Sequence, residues 1–387
     1  MRNFTYRNPV KILFGEGRIP DVAQEISPDA TVLLLYGQGS IKRNGVYDQT
    51  TRALAGRRLF AFGGVEPNPR YETCMAALDV VRKEGIDFIL AVGGGSVLDA
   101  AKFIAAAAEF GDGDPWRILS DGAPVEAALP IGAILTLPAT GSEMNPNSVI
   151  SRDSSAEKRY FSSPLVYPRF SVLDPATTYS LPPRQTANGI VDAFVHVMEQ
   201  YLTYPVDAPL QDRMAEGILL TLIEEGPKAL TRPADYNVRA NVMWCATLAL
   251  NELIAQGVPE DWTSHMIGHE MTALHGLDHG QTLAIVLPAV MDVKREAKQE
   301  KIRQYGERVW GIKEGAMDRD APVDAVIDKT RAFFEGLGIR TRLGDYGIGA
   351  DAIPAIVEKL DAHGMNALGE HGDIDLETTR RILARCL

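Results

Sequence analysis

The first 180 residues alternate between short apolar runs and segments long enough to form helices. The runs cover residues 30–37, 57–65, 87–96 and 130–143, and each contains glycine at or near its C-terminal end. Each run is almost continuously apolar, as a strand is when both faces of a parallel sheet are covered. This order therefore predicts repeated strand–helix–strand units and a parallel sheet.

Beyond a proline-containing stretch at residues 173–189, the apolar pattern becomes helical. Apolar side chains three and four positions apart, which form one face of a helix, recur in residues 188–202, 213–230, 239–256 and 322–338. We therefore expect an N-terminal α/β domain over residues 1–180 and an all-helical C-terminal domain over residues 181–387.

Composition narrows the class of protein further. A formal net charge of −12 and no basic stripe argue against nucleic-acid binding. The first ten residues lack the apolar core of a signal peptide, and no run approaches the roughly 20 apolar residues that a membrane helix needs. The three cysteines are far apart, which suits a reducing compartment. We expect a cytoplasmic protein that binds neither a membrane nor nucleic acid.

Two polar loops follow predicted strands. Gly93, Gly94, Gly95 and Ser96 stand where the third apolar run meets an alanine-rich helical segment. Backbone N–H groups without a Cβ can approach a pyrophosphate closely, and a helix N-terminus adds partial positive charge. Three glycines by themselves also fit a tight turn, and the usual GxGxxG fingerprint is absent. The second loop, residues 136–143, makes a nucleotide crevice at the carboxyl edge of the sheet the favoured interpretation.

The loop after the first apolar run bears on the choice of nucleotide. Residues 37–40 carry no charge, and Lys42 and Arg43 follow them. Dehydrogenases that use NAD often place an acidic side chain near the ribose 2′-hydroxyl. The loop found here would not repel a 2′-phosphate, although the same residues also fit a solvated turn.

Two pairs of polar residues in helical segments predict a metal site. Asp192 and His196 lie four residues apart, and so do His265 and His269. Residues at that spacing share one face of a helix. A single buried histidine is usually structural, but two such pairs in one domain are better explained by a shared metal ion.

The remaining histidines divide between this cluster and the C-terminal region. A straight helix would carry His279 about 21 Å from His265, which is too far for a shared ion, so the chain must turn between them. Gly276 can end the helix with a positive φ. His275 stands at that helix end, and we interpret it as structural. His363 and His371 lie in polar surroundings, and we predict that both are surface residues.

These residues belong to longer stretches that resemble one family. The sequences AVGGGSVLDAAKFIA (91–105), LPPRQTANGIVDAFVHVMEQY (181–201) and HMIGHEMTALHGLDHGQTLAIVLP (265–288) are similar to signatures of the iron-containing, or group III, alcohol dehydrogenases. That family is part of the dehydroquinate synthase-like superfamily, and the resemblance runs nearly from end to end. More narrowly, VKILFGEG and NPNSVISR suit its NADPH-dependent, butanol dehydrogenase-like aldehyde reductases.

The resemblance implies a fold and a set of site residues. The fold is an N-terminal dinucleotide-binding α/β domain, a helical C-terminal domain and a cleft between them. The metal ligands would be Asp192, His196, His265 and His279, and His269 would be the unligated histidine beside the nicotinamide. The pyrophosphate would contact Gly94, Gly95, Ser96 and Asp99. The cofactor cleft would also be lined by Asn68, Thr136, Thr140, Ser142, Asn145 and Lys158. In place of the aspartate of NAD-using members stand Gly37, Gln38, Gly39 and Ser40, so we expect NADP(H).

The expected activity is hydride transfer between NADPH and short- to medium-chain aldehydes, with primary alcohol oxidation as the reverse reaction. One carboxylate and three imidazoles suit Zn²⁺ and Fe²⁺ alike. His269 is predicted to pass a proton to the alkoxide. We also expect a homodimer that binds a small-molecule aldehyde or alcohol.

Two other kinds of function stay open. An NAD-dependent polyol dehydrogenase of the glycerol type and a dehydroquinate synthase-like enzyme share the fold and the metal, but both would need a more polar pocket. A metal-dependent hydrolase would use the histidines and leave the glycine loops without a purpose.

Overall fold

The structure is a computed structural model that describes residues 1–155, 157–312 and 321–387. The chain forms two compact units. We call the first the α/β unit; it comprises Arg7–Leu181 and Pro233–Thr247. We call the second the helical unit; it comprises Met1–Tyr6, Pro182–Arg232 and Leu248–Leu387.

A parallel sheet forms the centre of the α/β unit. The strands of this unit are β1 (Lys11–Phe14), β2 (Thr31–Tyr36), β3 (Arg58–Phe62), β4 (Phe88–Gly94), β5 (Ile131–Leu137), β6 (Asn147–Arg152), β7 (Glu157–Ser162) and β8 (Phe170–Leu173). Among the described residues, six of them form one sheet in the order β1-β8-β5-β4-β2-β3, with every neighbouring pair parallel. The strands β6 and β7 form a separate antiparallel pair.

The sheet is covered on both faces, as its apolar strands require. Leu33 and Leu35 of β2 belong to one buried cluster, and Leu34, between them, belongs to another. Successive side chains of a strand point to opposite faces, so a strand with apolar residues at every position supplies both layers. The four predicted strands are confirmed as β2, β3, β4 and β5. The short edge strand β1 and its neighbour β8 were not predicted.

Helices surround this sheet and make up the helical unit. Those that follow the first strands are α1 (Val22–Glu25), α2 (Ser40–Arg43), α3 (Val46–Ala53), α4 (Tyr71–Glu84), α5 (Gly95–Ala108) and α6 (Arg117–Ser120). Later in the chain come α7 (Pro183–Tyr201), α8 (Pro209–Thr231), α9 (Tyr236–Ala249), α10 (Thr263–His275), α11 (His279–Val293), α12 (Gln299–Arg308), α13 (Ala321–Gly336), α14 (Ile353–Ala362) and α15 (Leu376–Arg385). Single 3₁₀ turns occupy Ile19–Asp21, Ser142–Met144, Asp153–Ser155, Pro164–Val166, Pro175–Thr178, Leu343–Tyr346 and Ala350–Ala352.

The described part of the helical unit contains no strand beyond one isolated bridge between Leu368 and Ile374. The predicted fold class, an α/β half followed by a helical half, is therefore confirmed. None of the helices in the described residues is both long and apolar enough to cross a membrane.

All three cysteines lie within the described residues, and each is a buried thiol. Burial raises the pKa of the Cys386 thiol to about 12 and also raises the pKa of Cys74. Since the thiolate is the reactive form, the raised pKa keeps Cys74 and Cys386 in the less reactive thiol form at neutral pH.

The helices α7 and α11 pack closely because Gly280 has no side chain. A Cβ at Gly280 would lie 2.7 Å from the backbone oxygen of Asn188 and 2.9 Å from its Cα. That neighbour is backbone and cannot rotate away. Directly before α11, Asp278 Oδ2 accepts hydrogen bonds of 2.6 Å from Asn188 Nδ2 and from Arg184 Nε. The start of α11 is thus fixed against the first half of α7.

We predict that Gly280→Ala lowers the free energy of unfolding by about 1–3 kcal/mol, the usual cost of forcing extra atoms into a packed interface. Gly217→Ala is the matched control because Gly217 also lies within a helix, α8, and a Cβ there would meet nothing within 4 Å. That control should leave stability unchanged or raise it by up to about 1 kcal/mol. Urea unfolding followed by circular dichroism measures both. Equal stability of the two variants would contradict the packing argument.

Candidate active site

One carboxylate oxygen of α7 lies next to three imidazoles from three helices. Asp192 Oδ1 is 3.5 Å from Nε2 of His196 on α7, 3.7 Å from Nε2 of His265 on α10 and 3.6 Å from Nε2 of His279 on α11. The ligand atoms of Asp192, His265 and His279 all lie within 4.8 Å of one another. The structure thus brings together the four residues considered as metal ligands.

These spacings fit a metal ion better than a set of hydrogen bonds. A tetrahedral ion with bonds of about 2.0–2.2 Å holds its ligand atoms about 3.3–3.6 Å apart. The separations around Asp192 Oδ1 are close to that range and are long for hydrogen bonds. The buried Nε2 of His265 has no hydrogen-bond partner among the described residues. One oxygen and three nitrogens are donors that Zn²⁺ and Fe²⁺ both accept.

The two stacked imidazoles in this cluster differ in their surroundings. The rings of His196 and His265 have centroids 4.6 Å apart. Burial lowers the pKa of His196 to about 4 and outweighs the opposing charge of Asp192. Burial also acts to lower the pKa of His265, but the carboxylates of Glu199 and Asp192 outweigh it and raise that pKa to about 9. Glu199 is therefore the group that distinguishes His265 from His196.

A short turn brings His279 back toward the other histidines. The helix α10 ends at His275, its C-cap residue Gly276 has a φ of +68°, and α11 begins at His279. The predicted helix end at Gly276 is confirmed. His269 is 8% exposed, and its ring centroid lies 5.2 Å from that of His279 and 6.3 Å from that of His265. His275, the last residue of α10, is exposed.

The prediction that His363 lies on the surface is wrong. Its side chain is 7% exposed, and its Nδ1 lies 2.7 Å from Oε1 of the buried Glu270 on α10. The polar residues around His363 suggested exposure because the sequence does not reveal this distant partner. The same prediction for His371 is confirmed: the residue is exposed and stacks on Tyr204.

The loops that we predict to bind the cofactor lie at the carboxyl ends of neighbouring strands. The strand β2 is next to β4, yet the chain leaves β2 toward β3 on one side and leaves β4 toward β5 on the other. In open α/β sheets the ligand crevice lies where the connections diverge in this way. Residues 37–40 follow β2, Gly94 ends β4, and Gly95 and Ser96 begin α5. Thr136 lies near the end of β5.

The glycine loop and the loop after β5 approach each other closely. A Cβ at Gly95 would lie 2.4 Å from Oγ1 of Thr140, so this approach depends on glycine. In the loop after β2, Gly39 has a φ of +94°, a conformation that side chains rarely adopt. Asn68, at φ +56°, accepts a hydrogen bond of 2.9 Å from Nζ of Lys158.

A fully buried lysine holds together several of the residues that we predict to line the cofactor cleft. Lys102 Nζ donates hydrogen bonds to Ser142 Oγ at 2.7 Å and to Asn145 Oδ1 at 3.1 Å. Ser142 Oγ in turn donates to Asp99 Oδ1 at 2.6 Å, and the other oxygen of Asp99 accepts from Val149 N at 3.1 Å. Both carboxylate oxygens of Asp99 thus have protein donors, and Lys102 supplies the cation beside them.

Lys102 and Glu199 are buried charged residues that contact predicted site residues but were not themselves predicted from the sequence. Lys102 leaves no local signal, because its partners are about forty residues away. Glu199 did leave a signal, because Asp192, His196 and Glu199 follow each other at four and three residues within an apolar helix. That spacing places all three on one helix face.

Comparison with known proteins gives the family. Residues 9–175 match the iron-containing alcohol dehydrogenases, and residues 186–378 match the C-terminal part of the Fe-containing alcohol dehydrogenase family. The chain therefore belongs to the iron-containing alcohol dehydrogenase family. The resemblance drawn from the sequence is confirmed, and with it the expectation of an alcohol dehydrogenase or aldehyde reductase.

Relatives within the family match the chain over its whole length. The chain is 58% identical to the NADPH-dependent aldehyde reductase YqhD of Escherichia coli K12, over 99% of both sequences. It is 40% identical to a probable NADH-dependent butanol dehydrogenase 1 of Bacillus subtilis, over 100% of both. A crystal structure of E. coli K-12 YqhD matches with a TM-score of 0.98 and 57% identity, covering 100% of this chain and 99% of that one.

Proposed function

We propose that this chain is a metal-dependent, NADP(H)-using aldehyde reductase, with residues 1–180 binding the cofactor and residues 181–387 binding the metal and the substrate. The single observation that carries the proposal is the contact of one Asp192 oxygen with three imidazole Nε2 atoms at 3.5–3.7 Å. A hydrolase could use such a cluster, but it would not need the glycine loops of the α/β unit.

Asp192, His196, His265 and His279 would hold the ion. A divalent ion bound by one carboxylate and three neutral imidazoles would keep a net positive charge and would supply Lewis-acid polarisation of an aldehyde oxygen. The protein holds the four donors on three packed helices, so little rearrangement is needed when the ion binds. Zinc and ferrous iron both suit these donors, and metal analysis of the purified protein would decide between them.

Support for NADP(H) comes from the loop after β2 and from one relative. Residues 37–40 carry no carboxylate that would repel a 2′-phosphate, and the E. coli relative is named as NADPH-dependent. The relative from B. subtilis is named as NADH-dependent, so membership of the family does not fix the nucleotide. Reduced nicotinamide supplies the hydride, and the crevice at β2 and β4 holds the nucleotide.

His269 would move the proton. It lies one helical turn beyond His265 on α10, and its ring is 5.2 Å from that of His279. An imidazole that binds no metal can both accept and donate a proton near neutral pH. His269 therefore protonates the oxygen of the reduced substrate, either directly or through a water molecule, and the alcohol can leave.

Removing a ligand should remove the metal. We predict that Asp192→Ala and His265→Ala lose both bound metal and aldehyde reduction, because each leaves the ion with an incomplete set of donors. The control is His275→Ala, at the exposed end of the same helix as His265, which should keep both. Metal content by mass spectrometry and NADPH oxidation with an aldehyde measure the outcome. Full metal occupancy in the two ligand variants would refute the assignment.

Cofactor preference should depend on the loop after β2. We predict that the unmodified protein has a higher kcat/KM with NADPH than with NADH, and that Gln38→Asp erodes this preference by repelling the 2′-phosphate. Gln38 is a better site for this change than Gly39, whose positive φ would strain any side chain. Gln38→Asn is the uncharged control and should keep the preference. Equal efficiency with both nucleotides in the unmodified protein would contradict the proposal.

The variant His269→Ala tests whether His269 relays a proton or binds the metal. We predict that His269→Ala keeps near-normal metal content but reduces the rate by about 10²-fold or more and changes the pH profile, because a general acid is lost. Metal loss comparable to that of His265→Ala would make His269 a ligand instead. An unchanged rate would exclude both roles.

The homodimer and the cytoplasmic location remain predictions. Sedimentation velocity tests the first, and fractionation of cells that produce the protein tests the second.

A further inference from the structure

Glu199 connects α7 with the start of α10 through both of its carboxylate oxygens. Its side chain is 3% exposed. Oε1 accepts a hydrogen bond of 2.5 Å from the backbone N–H of Ser264, and Oε2 contacts Nδ1 of His265. In addition, the backbone oxygen of Glu199 accepts from the N–H of Asp261 at 2.8 Å, just before α10 begins.

We propose that Glu199 is a positioning residue for the metal ligand His265. A neutral imidazole carries its single proton on one ring nitrogen and a lone pair on the other. An ionised carboxylate can only accept, so the nitrogen that contacts Glu199 must be the one that carries the proton. In the neutral form that binds a metal, the lone pair of His265 is then on Nε2, the nitrogen that lies 3.7 Å from Asp192 Oδ1. This inference rests on the proposed metal site.

Burial, the carboxylate of Glu199 and the hydrogen bond from Ser264 act together at this contact. Burial removes water that could compete for Nδ1, the carboxylate selects the proton position, and the bond from Ser264 fixes the carboxylate itself. A hydrogen bond from the second ring nitrogen to a carboxylate is a common way to orient a metal-ligating histidine and raise its basicity. His196 offers a contrast within the same cluster, because its buried Nδ1 has no hydrogen-bond partner among the described residues.

Glutamine cannot replace this glutamate, although the two side chains have the same shape. Both groups that face the carboxylate, the N–H of Ser264 and the N–H of His265, are donors. Glutamine has one acceptor oxygen and one NH₂ group. If its oxygen faces Ser264, its NH₂ faces Nδ1 and favours the tautomer with the proton on Nε2. In that tautomer Nε2 has no lone pair with which to bind a metal. If its oxygen faces His265, two donors oppose each other at Ser264.

The test measures Zn²⁺ binding to metal-stripped, full-length protein, without reference to activity. In Glu199→Gln we expect the dissociation constant for Zn²⁺, obtained by competition with a chelator, to rise by about 10- to 100-fold. The rise in thermal midpoint on adding Zn²⁺ should shrink accordingly. Glu199→Asp keeps two acceptor oxygens, but its shorter side chain moves them away from Ser264 and His265. We therefore expect its dissociation constant for Zn²⁺ to lie between those of the parent and Glu199→Gln. If Glu199→Gln does not fold, Glu199→Asp is judged by the same criteria.

Glu270→Gln is the matched control. Glu270 is also a buried carboxylate that contacts Nδ1 of a histidine, at 2.7 Å, but its partner, His363, is not in the metal cluster. We expect this variant to bind Zn²⁺ within about threefold of the parent, since a second-sphere effect on affinity requires contact with a ligand.

The outcomes separate three explanations. Glu199→Gln could leave the dissociation constant for Zn²⁺ unchanged and lower the thermal midpoints of the metal-free and Zn²⁺-loaded protein equally. Glu199 would then have a structural role only, and the proposal would be overturned. Equal weakening by Glu270→Gln would overturn it as well. If the parent protein binds no Zn²⁺, or binds it no more tightly than His265→Ala does, the metal site itself is overturned. A parent that binds one equivalent while Glu199→Gln binds as tightly would overturn the role of Glu199 alone.

Discussion

Asp192 is only 3% exposed, and its buried carboxylate requires compensating groups from several helices of the helical unit. A charge removed from water must be compensated nearby. Asp192 has three imidazoles around one oxygen, and they come from α7, α10 and α11. Gly280 lets α11 approach α7, Asp278 fixes the start of α11, and the site exists only when these helices are packed. The same packing of α7, α10 and α11 therefore both folds the helical unit and forms its candidate metal site.

The α/β unit meets a different constraint, which is the order of its strands. Because β2 and β4 are neighbours whose connections diverge, the loops after their carboxyl ends stand where open α/β sheets bind ligands. Close packing then restricts the residues of those loops. Gly95 must be small because Thr140 approaches it, and Asp99, Ser142 and Lys102 form a buried chain of hydrogen bonds. These contacts hold the two loops against each other, and loops that are ordered in advance lower the cost of binding a ligand.

The sequence predicts most of this organisation wherever the signal is local. Continuous apolar runs gave β2 through β5, Gly276 gave the end of α10, and spacing on a helix face gave the Asp192 and His265 pairs. Prediction failed where the signal is a distant partner. His363 is buried because Glu270 lies beside it, and Lys102 is buried because Ser142 and Asn145 lie some forty residues later. The strands β1 and β8 are four residues long and have too few positions to show a period. Their pairing with each other joins residues more than 150 positions apart, which no local pattern records.

The buried cysteines have a meaning that goes beyond stability. Aldehydes are electrophiles, and exposed thiolates are among the side chains that attack them most readily. All three cysteines of this chain are inside the protein, and burial keeps Cys74 and Cys386 in the thiol form. A protein that takes up reactive carbonyl compounds, as proposed here, would thus work without offering them its own most nucleophilic side chains. The positions of the sulfur atoms would then limit covalent damage by the substrate.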